Sequence, residues 1–142
     1  IIKSFRETSK KEFILNFDQF SNSINITKSI EIVYGLRNFI GNANKFSKSK
    51  VFINIKSDNY TTEIIIEDDG EGYPNDVLRK IGEPYIKSHK SSIKSKSGLG
   101  LGIFIGKTLL EKNYASILCR NSKTRGGAEV KIRWKNKNFL KI

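Results

Sequence analysis

Two asparagines and a lysine share one side of a predicted helix in the segment LRNFIGNANKF. Asn42 lies four residues after Asn38, and Lys45 lies seven residues after it, which is helical spacing. Asparagine is a weak helix former, so the pair does little for the helix itself. A carboxamide oxygen is a neutral, hard ligand that suits Mg²⁺, an ion that commonly shares phosphate oxygens. The alternative interpretation is that both asparagines face solvent or cap a turn.

An acidic, glycine-rich turn, DDGEG, follows an apolar run that is typical of a buried strand. Asp68 lies where the run ends, and Gly70 and Gly72 tolerate the backbone angles that a tight turn needs. A carboxylate held at the end of a strand can accept a hydrogen bond from an exocyclic amine, such as that of adenine. The alternative is an ordinary acidic turn between a strand and a helix.

Three alternating glycines, Gly98, Gly100 and Gly102, stand in the segment SGLGLGIFI. They let the backbone approach a ligand closely, and the helix predicted there would direct free N–H groups at an anion. The spacing differs from both G-x-G-x-x-G and G-x-x-x-x-G-K-[ST], so this is neither of those phosphate loops. Basic residues precede the glycines: Lys87, His89, Lys90, Lys94 and Lys96. They predict a cationic flap over phosphates, with a disordered Lys/Ser loop as the alternative.

The elements that must position these residues follow from the hydrophobic pattern. Strands are predicted over 12–17, 24–27, 51–56, 62–68, 115–120 and 128–134, the third and fourth of them as a hairpin. Helices are predicted over 29–47 with Thr27 or Ser29 as N-cap, over 74–81 beginning at Pro74, and over 99–112, with 82–97 irregular. Together they predict an α+β fold, a two-layer α/β sandwich whose mixed, mostly antiparallel sheet has helices on one face. We expect one domain over 1–142 with its core over about 10–135.

The chain of 142 residues has a formal net charge of +12. This charge favours polyanions without distinguishing nucleic acid, anionic lipid or nucleotide phosphates, and a solvated basic surface is the alternative. Cys119 is the single cysteine, so an internal disulfide is excluded, and a reducing setting with Cys119 in the core fits. The sequence shows no signal-peptide pattern and no run of about 18 apolar residues, so we expect no membrane-spanning segment within it. Because the chain begins with Ile1, we expect it to be a fragment of a longer protein.

The segments NFIGNANKF, DDGEG, SGLGLGIFIGKTLL and GGAEVKI follow one another in a specific order. This set resembles the N, G1, G2 and final glycine boxes of the catalytic, ATP-binding domain of sensor histidine kinases. Their superfamily also includes gyrase, mismatch-repair and heat-shock chaperone ATPases. The resemblance covers about residues 10–135, and the segments IGEPY and GLGLGIFIGKTLLE are similar to the RegB/PrrB redox-responsive branch.

The resemblance implies specific roles on the predicted helix. Asn42 would bind the Mg²⁺ that bridges the ATP phosphates, Asn38 would lie beside it, and Lys45 would reach the phosphates, which makes these three the expected catalytic residues. Phe46 would help to wall the adenine.

The resemblance also implies the remaining nucleotide contacts. Asp68 would accept a hydrogen bond from the adenine amino group, with Gly70 and Gly72 shaping the floor. Residues 82–98 would form a mobile ATP lid that hinges at its glycines and closes on the phosphates. Further implied contacts are Tyr85, Lys87, Ser97, Gly98, Leu99, Gly100, Leu101 and Gly102.

Three positions depart from the pattern of the family. Tyr85 is the expected substitute for the phenylalanine-rich box before the lid. Tyr73 stands where an aliphatic residue is common, and Ala128 replaces a frequent threonine or serine.

The expected activity follows from Asn38, which occupies the position where ATPase relatives carry a glutamate general base. An amide cannot take a proton near neutral pH, so we expect slow hydrolysis and transfer of the γ-phosphoryl group to a histidine instead. His89 lies in the lid and outside any H-[ED]-x-x-P context, so it is not the expected acceptor. We therefore expect a dimerising hairpin with the acceptor histidine before Ile1, and a response regulator downstream. The full-length protein would be a membrane-associated homodimer, an inner-membrane sensor of which this chain is a cytoplasmic domain.

Two alternatives remain. An anti-sigma-type serine/threonine kinase, or an ATPase of the same superfamily, would normally keep the glutamate at position 38. A basic nucleic-acid-binding domain would explain the charge of +12, yet the chain lacks an aromatic stacking motif, and no nucleic acid is expected as a partner.

Overall fold

The computed structural model describes residues 1–17, 24, 26–81 and 99–142. Its helices are α1 (Ile2–Thr8), α2 (Ile30–Phe46), α3 (Asn75–Leu78) and α4 (Leu99–Lys112), followed by a 3-10 helix (Asn136–Lys141). Its strands are β1 (Glu12–Phe17), β2 (Lys50–Ser57), β3 (Thr61–Asp68), β4 (Ser116–Asn121) and β5 (Ala128–Lys135). None of the described helices is long and apolar enough to cross a membrane.

The five strands form one sheet in the order β1-β2-β3-β5-β4. β1 pairs with β2 in parallel, and every other pairing is antiparallel, which confirms the predicted mixed, mostly antiparallel sheet. Because side chains alternate along a strand, the cross-strand neighbours Ile53, Ile66 and Val130 fall on one face, and all three are buried. β3 is central, so its last residue, Asp68, is carried to the middle of one edge of the sheet.

Two helices, α2 and α4, pack against each other in the layer that covers the buried face of the sheet. The α2 helix begins as predicted, because the Ser29 side chain accepts a hydrogen bond from the Ile32 N–H at 3.2 Å. A Cβ on Gly35 would lie 2.7 Å from Cγ of Leu110, and one on Gly106 would lie 2.8 Å from Cε2 of Phe39. The two glycines therefore permit an interhelical approach that an alanine would prevent.

The structure differs from the predicted elements at several places. Ile24, Ile26 and Thr27 form no strand, because two apolar residues in four also suit the extended approach to a helix cap. Pro74 is the N-cap of α3 rather than its first residue, and the helix ends at Leu78. The predicted irregular segment 82–97 lies outside the described residues.

Two short elements were not predicted from the pattern, α1 and the 3-10 helix. Each is stabilised by an aromatic contact with the adjacent strand: the Phe5 ring stacks on Phe13 of β1 at 5.6 Å, and the Phe139 ring packs against Trp134 of β5 at 5.8 Å. Neither contact produces a periodic pattern within the helix itself, so the sequence pattern and helix propensity could not predict these two helices.

Candidate functional site

A cavity of about 330 Å³ lies between α2, the end of β3 and the start of β5. The residues that line it are Phe39, Asn42, Ala43, Phe46, Ser47, Lys48, Ile66, Asp68, Glu71, Gly72, Tyr73, Ala128 and Val130. Apolar walls with a few polar groups are typical of a pocket that encloses a small organic ligand.

Asp68 is the buried acid of this cavity, with only 3% of its surface exposed. Its Oδ1 accepts hydrogen bonds from the Gly70 N–H at 2.8 Å and from the Ala128 N–H at 3.3 Å. Burial raises the pKa of Asp68 above its usual range despite these two bonds. Because both bonds fall on Oδ1, Oδ2 is the oxygen left to accept a hydrogen bond from a ligand.

Two glycines seat the Asp68 carboxylate by leaving room where a side chain would collide. A Cβ on Gly127 would lie 2.1 Å from Oδ1 of Asp68, and one on Gly70 would lie 2.1 Å from the Phe46 carbonyl oxygen. The Gly127 N–H also donates to the Asp68 carbonyl at 3.1 Å. Gly70 thus supports the site without lining the cavity, whereas Gly72 lines it directly.

An open cleft of about 360 Å³ adjoins the cavity, and Asn42 lines both. The cleft is lined by Arg37, Asn38, Gly41, Asn42, Lys45, Leu101, Gly102 and Ile105. The structure therefore brings Asn38, Asn42 and Lys45 together with the first turn of α4. Among the described residues, Nδ2 of Asn42 is a buried side-chain atom without a hydrogen-bond partner. A buried amide in that state is an open position for a ligand.

Asn38 and the glycines of α4 make contacts within and between the two helices in the described structure. The Asn38 Nδ2 donates to the Tyr34 carbonyl one turn earlier, at 2.9 Å. Gly100 and Gly102 lie in the first turn of α4, and a Cβ on Gly102 would lie 3.2 Å from Oδ1 of Asn42. Gly102 thus lets α4 approach Asn42, while Gly100 is buried and lines neither the cavity nor the cleft.

Several residues predicted for the site lie outside the described part of the chain. They are Tyr85, Lys87, His89, Lys90, Lys94, Lys96, Ser97 and Gly98, with the expected lid over 82–98. Leu99 begins α4, and its side chain is not described.

Some residues of the cavity were missed in the sequence analysis. Ser47, Lys48 and Glu71 lie beside predicted residues, but their own types carry no distinctive spacing. Ile66 and Val130 are cross-strand neighbours, so their alternation predicted burial without indicating a cavity. Tyr73 and Ala128 also line the cavity, and in the sequence they are distinguished only as departures from the family's motifs.

Asp69, the second acid of DDGEG, ties the loop after α2 to the end of β3. Its Oδ1 accepts from the N–H groups of Lys48, Ser49 and Lys50 at 2.8, 3.0 and 3.1 Å, and Oδ2 accepts from the Ser49 hydroxyl at 2.7 Å. Burial raises the pKa of Asp69, but the bonds from Ser49, Lys50 and Lys48 outweigh it and bring the pKa to about 2.

We expect Asp69→Asn to lower the free energy of unfolding by about 1–2 kcal/mol at pH 7, because charge-assisted bonds to three backbone N–H groups are weakened. A lowered carboxyl pKa contributes stability that is present above the ordinary value of 3.8 and is lost as the pH falls towards 2. Urea unfolding of both proteins from pH 6 down to about pH 2 measures this. A difference that stays constant over that range would contradict the role given to the charge.

The family of histidine kinase-, DNA gyrase B-, and HSP90-like ATPases matches residues 27–138. The sensor histidine kinase RegB of Cereibacter sphaeroides is 36% identical, and the alignment covers 77% of this chain and 27% of that protein. The chain thus spans about a quarter of that relative.

Solved structures resemble the fold over most of the chain. The mycobacterial sensor histidine kinase MprB superposes with a TM-score of 0.75 at 23% identity, covering 94% of this chain and 89% of that one. The ATP-binding domain of PrrB from Mycobacterium tuberculosis gives a TM-score of 0.68 at 20% identity, covering 94% and 86%. At these identities the likeness establishes the shared two-layer fold.

Proposed function

Because this chain belongs to the family of histidine kinase-, DNA gyrase B-, and HSP90-like ATPases, we propose that it is the ATP-binding catalytic domain of a sensor histidine kinase. In this proposal it binds Mg–ATP and transfers the γ-phosphoryl group to a histidine on a separate dimerisation domain. The observation that carries the proposal is the pair of adjoining hollows that share Asn42, one apolar around Asp68 and one open beside Lys45.

The apolar cavity suits the adenine base. The side chains of Phe46, Ile66 and Val130 offer apolar surface to a flat ring. The Asp68 carboxylate would accept the hydrogen bond of the 6-amino group through Oδ2, since Oδ1 is already bonded. A guanine would instead present its carbonyl oxygen to that carboxylate, and two acceptors repel each other. The cavity therefore favours adenine over guanine.

The open cleft suits the phosphates. Arg37 and Lys45 provide positive charge there, and the first turn of α4 provides N–H groups that lack partners within the helix. The Asn42 side chain fits a Mg²⁺–phosphate group, because its amide oxygen is a hard ligand and its Nδ2 has no hydrogen-bond partner among the described residues. When bound, Mg²⁺ would neutralise charge on the phosphates, and Asn42 is the residue that would hold it.

The cleft supports transfer to an external nucleophile rather than hydrolysis. No carboxylate or histidine is among the described residues that line it. Asn38 offers an amide, which cannot accept a proton from water near neutral pH. A histidine acceptor needs no such base, because its neutral ring nitrogen attacks with its own lone pair, and the domain contributes positioning and charge stabilisation.

Titration of the chain with Mg–ADP by isothermal calorimetry tests the nucleotide site. We expect one site, with Asn42→Ala removing most of the affinity gained on adding Mg²⁺ and leaving metal-free ADP binding nearly unchanged. Asn44→Ala is the matched control, because Asn44 lies on the same helix and bonds to the Ser9 hydroxyl at 2.5 Å, away from both hollows. A wild-type chain that ignores millimolar Mg–ADP would refute the proposal.

A second measurement identifies the acceptor. Labelled ATP is offered together with a histidine-bearing dimerisation hairpin or with a serine-bearing partner protein. An acid-labile product on the hairpin is expected, whereas an acid-stable product would support the serine/threonine kinase alternative.

The partners follow from the proposed activity. We propose that the chain acts as one catalytic domain, over 1–142, of a longer homodimeric sensor that carries its own histidine region and passes the phosphoryl group to a response regulator. We further propose a cytoplasmic position for this domain within a membrane-bound protein, with no nucleic acid as a partner.

A further inference from the structure

The side chain of Asn121, the last residue of the edge strand β4, brackets the backbone of one residue that is far away in sequence, Tyr73. Its Oδ1 accepts from the Tyr73 N–H at 2.6 Å, and its Nδ2 donates to the Tyr73 carbonyl at 3.0 Å. An amide side chain that both accepts from and donates to one residue fixes the position and the orientation of that backbone.

The residue before Tyr73 is Gly72, and the lack of a side chain there leaves space for the Asn121 amide. Gly72 has φ of +78°, and a Cβ there would lie 2.7 Å from Oδ1 of Asn121. Glycine adopts this left-handed angle without strain and leaves room for the Asn121 amide. Among the described residues, the backbone of Tyr73 hydrogen-bonds to Asn121 through both its N–H and its carbonyl. Together with the buried Tyr73 side chain, the bracket holds this turn.

The turn that is held in this way forms part of the cavity. Gly72 and Tyr73 both line it, and the Tyr73 side chain is only 8% exposed. Burial, with smaller contributions from Cys119 and Asp68, raises the pKa of Tyr73, so its ring stays neutral. A large neutral ring whose backbone is fixed on both sides presents a defined surface to a ligand.

We propose that Asn121 is a positioning residue for the nucleotide base: it fixes the Gly72–Tyr73 turn so that the bound ring is held in line with Asp68. The inference rests on the proposed nucleotide site and adds a specificity role for a residue that does not line the cavity. The hydrogen bond between Asp68 and an amino group depends on angle as well as distance. Loosening the turn would therefore reduce affinity for adenine more than affinity for guanine.

The test compares Asn121→Ala with Asn136→Ala, using calorimetric titrations with Mg–ADP and Mg–GDP. Asn136 is a matched control, because its amide donates to the Asp58 carbonyl at 2.7 Å and accepts from the Thr62 hydroxyl at 2.7 Å, at the far end of β3. We expect Asn121→Ala to weaken ADP binding about tenfold and to lower the preference for ADP over GDP. Asn136→Ala should keep both the wild-type ADP affinity and the wild-type preference.

Each outcome is decisive. Unchanged ADP affinity or preference in Asn121→Ala, or an equal loss in Asn136→Ala, overturns the positioning role and leaves the nucleotide site intact. A wild-type chain that binds no ADP overturns the proposed function and this inference together. If Asn121→Ala does not fold, Asn121→Asp gives the same test, because its carboxylate still accepts from the Tyr73 N–H but repels the Tyr73 carbonyl. It should show the same two losses, and wild-type affinity in that variant overturns the role.

Discussion

Replacing Asp68 with asparagine is expected to weaken Mg–ADP binding by about 100-fold without lowering the stability of the fold. The two N–H groups of Gly70 and Ala128 demand an acceptor, so the amide oxygen of the new side chain must take the place of Oδ1. Its NH₂ group then faces the cavity in place of Oδ2. A donor would meet the donor of the adenine amino group, and one hydrogen bond lost plus one repulsion gained corresponds to about 2–3 kcal/mol.

Asp68→Asn is expected to keep or raise the stability of the fold because of the pKa of Asp68. Burial raises that pKa, so at neutral pH the folded state holds a carboxylate that it disfavours relative to the unfolded chain. Stability from this group is greatest at acidic pH and falls as the pH rises through its raised pKa. Because the amide carries no charge, Asp68→Asn removes this cost.

Asp69→Asn is the matched control for Asp68→Asn, since it makes the same chemical change at the adjacent position. It should lose stability and keep ADP affinity, which is the opposite pattern. Calorimetric titration and urea unfolding of both variants decide the matter. Retained ADP affinity in Asp68→Asn would remove the carboxylate from base recognition.

Gly127→Ala is expected to destabilise the protein by more than about 3 kcal/mol, the second large effect. The new methyl group would lie 2.1 Å from Oδ1 of Asp68 and 2.3 Å from its carbonyl oxygen. Neither atom can yield, because the carbonyl accepts from the Gly127 N–H itself and Oδ1 accepts from two further N–H groups. Relief of the clash must separate β3 from β5 where they hold the carboxylate.

Gly126→Ala is the control that distinguishes a steric clash from backbone strain as the cause of the lost stability. Gly126 has φ of +87° with no atom within 4 Å of its Cβ position, so alanine there should cost only about 1 kcal/mol. Urea unfolding of the two variants gives the comparison. Equal losses in both would show that Asp68 accommodates the methyl group, contrary to the packing described.

Local sequence patterns account for most of the fold. The alternation in EFILNF, the helical spacing from Ile32 to Ala43 and the serine cap at Ser29 each carry their own physical reason. These features operate within a few residues, so they were visible without any partner. The predicted strand over 24–27 was wrong, because a pattern of only two apolar residues cannot distinguish a strand from an extended loop.

The site was predictable only in part, since its supports are distant in sequence. The spacing of the asparagines and the position of Asp68 at a strand end indicated the residues that line the two hollows. Gly127 and Asn121 are brought to the site by the register that joins β3 to β5 and β4 to β5, and no local pattern encodes that register. In the sequence, Tyr73 stands out only as an exception to a motif. Its two hydrogen bonds to Asn121 depend on the tertiary structure, so the sequence could not reveal them.

The glycine contacts between α2 and α4 link the cleft to Gly35, Gly106 and Leu110, which line neither the cavity nor the cleft. Gly35 meets Leu110, Phe39 meets Gly106, and Asn42 meets Gly102, so three missing side chains set the separation of the helix axes along the whole contact. Enlarging any one of them would tilt or lift α4 and widen the mouth beside Asn42. Natural variants that abolish nucleotide binding should therefore include changes one and two helical turns away from the Asn42–Gly102 contact beside the cleft.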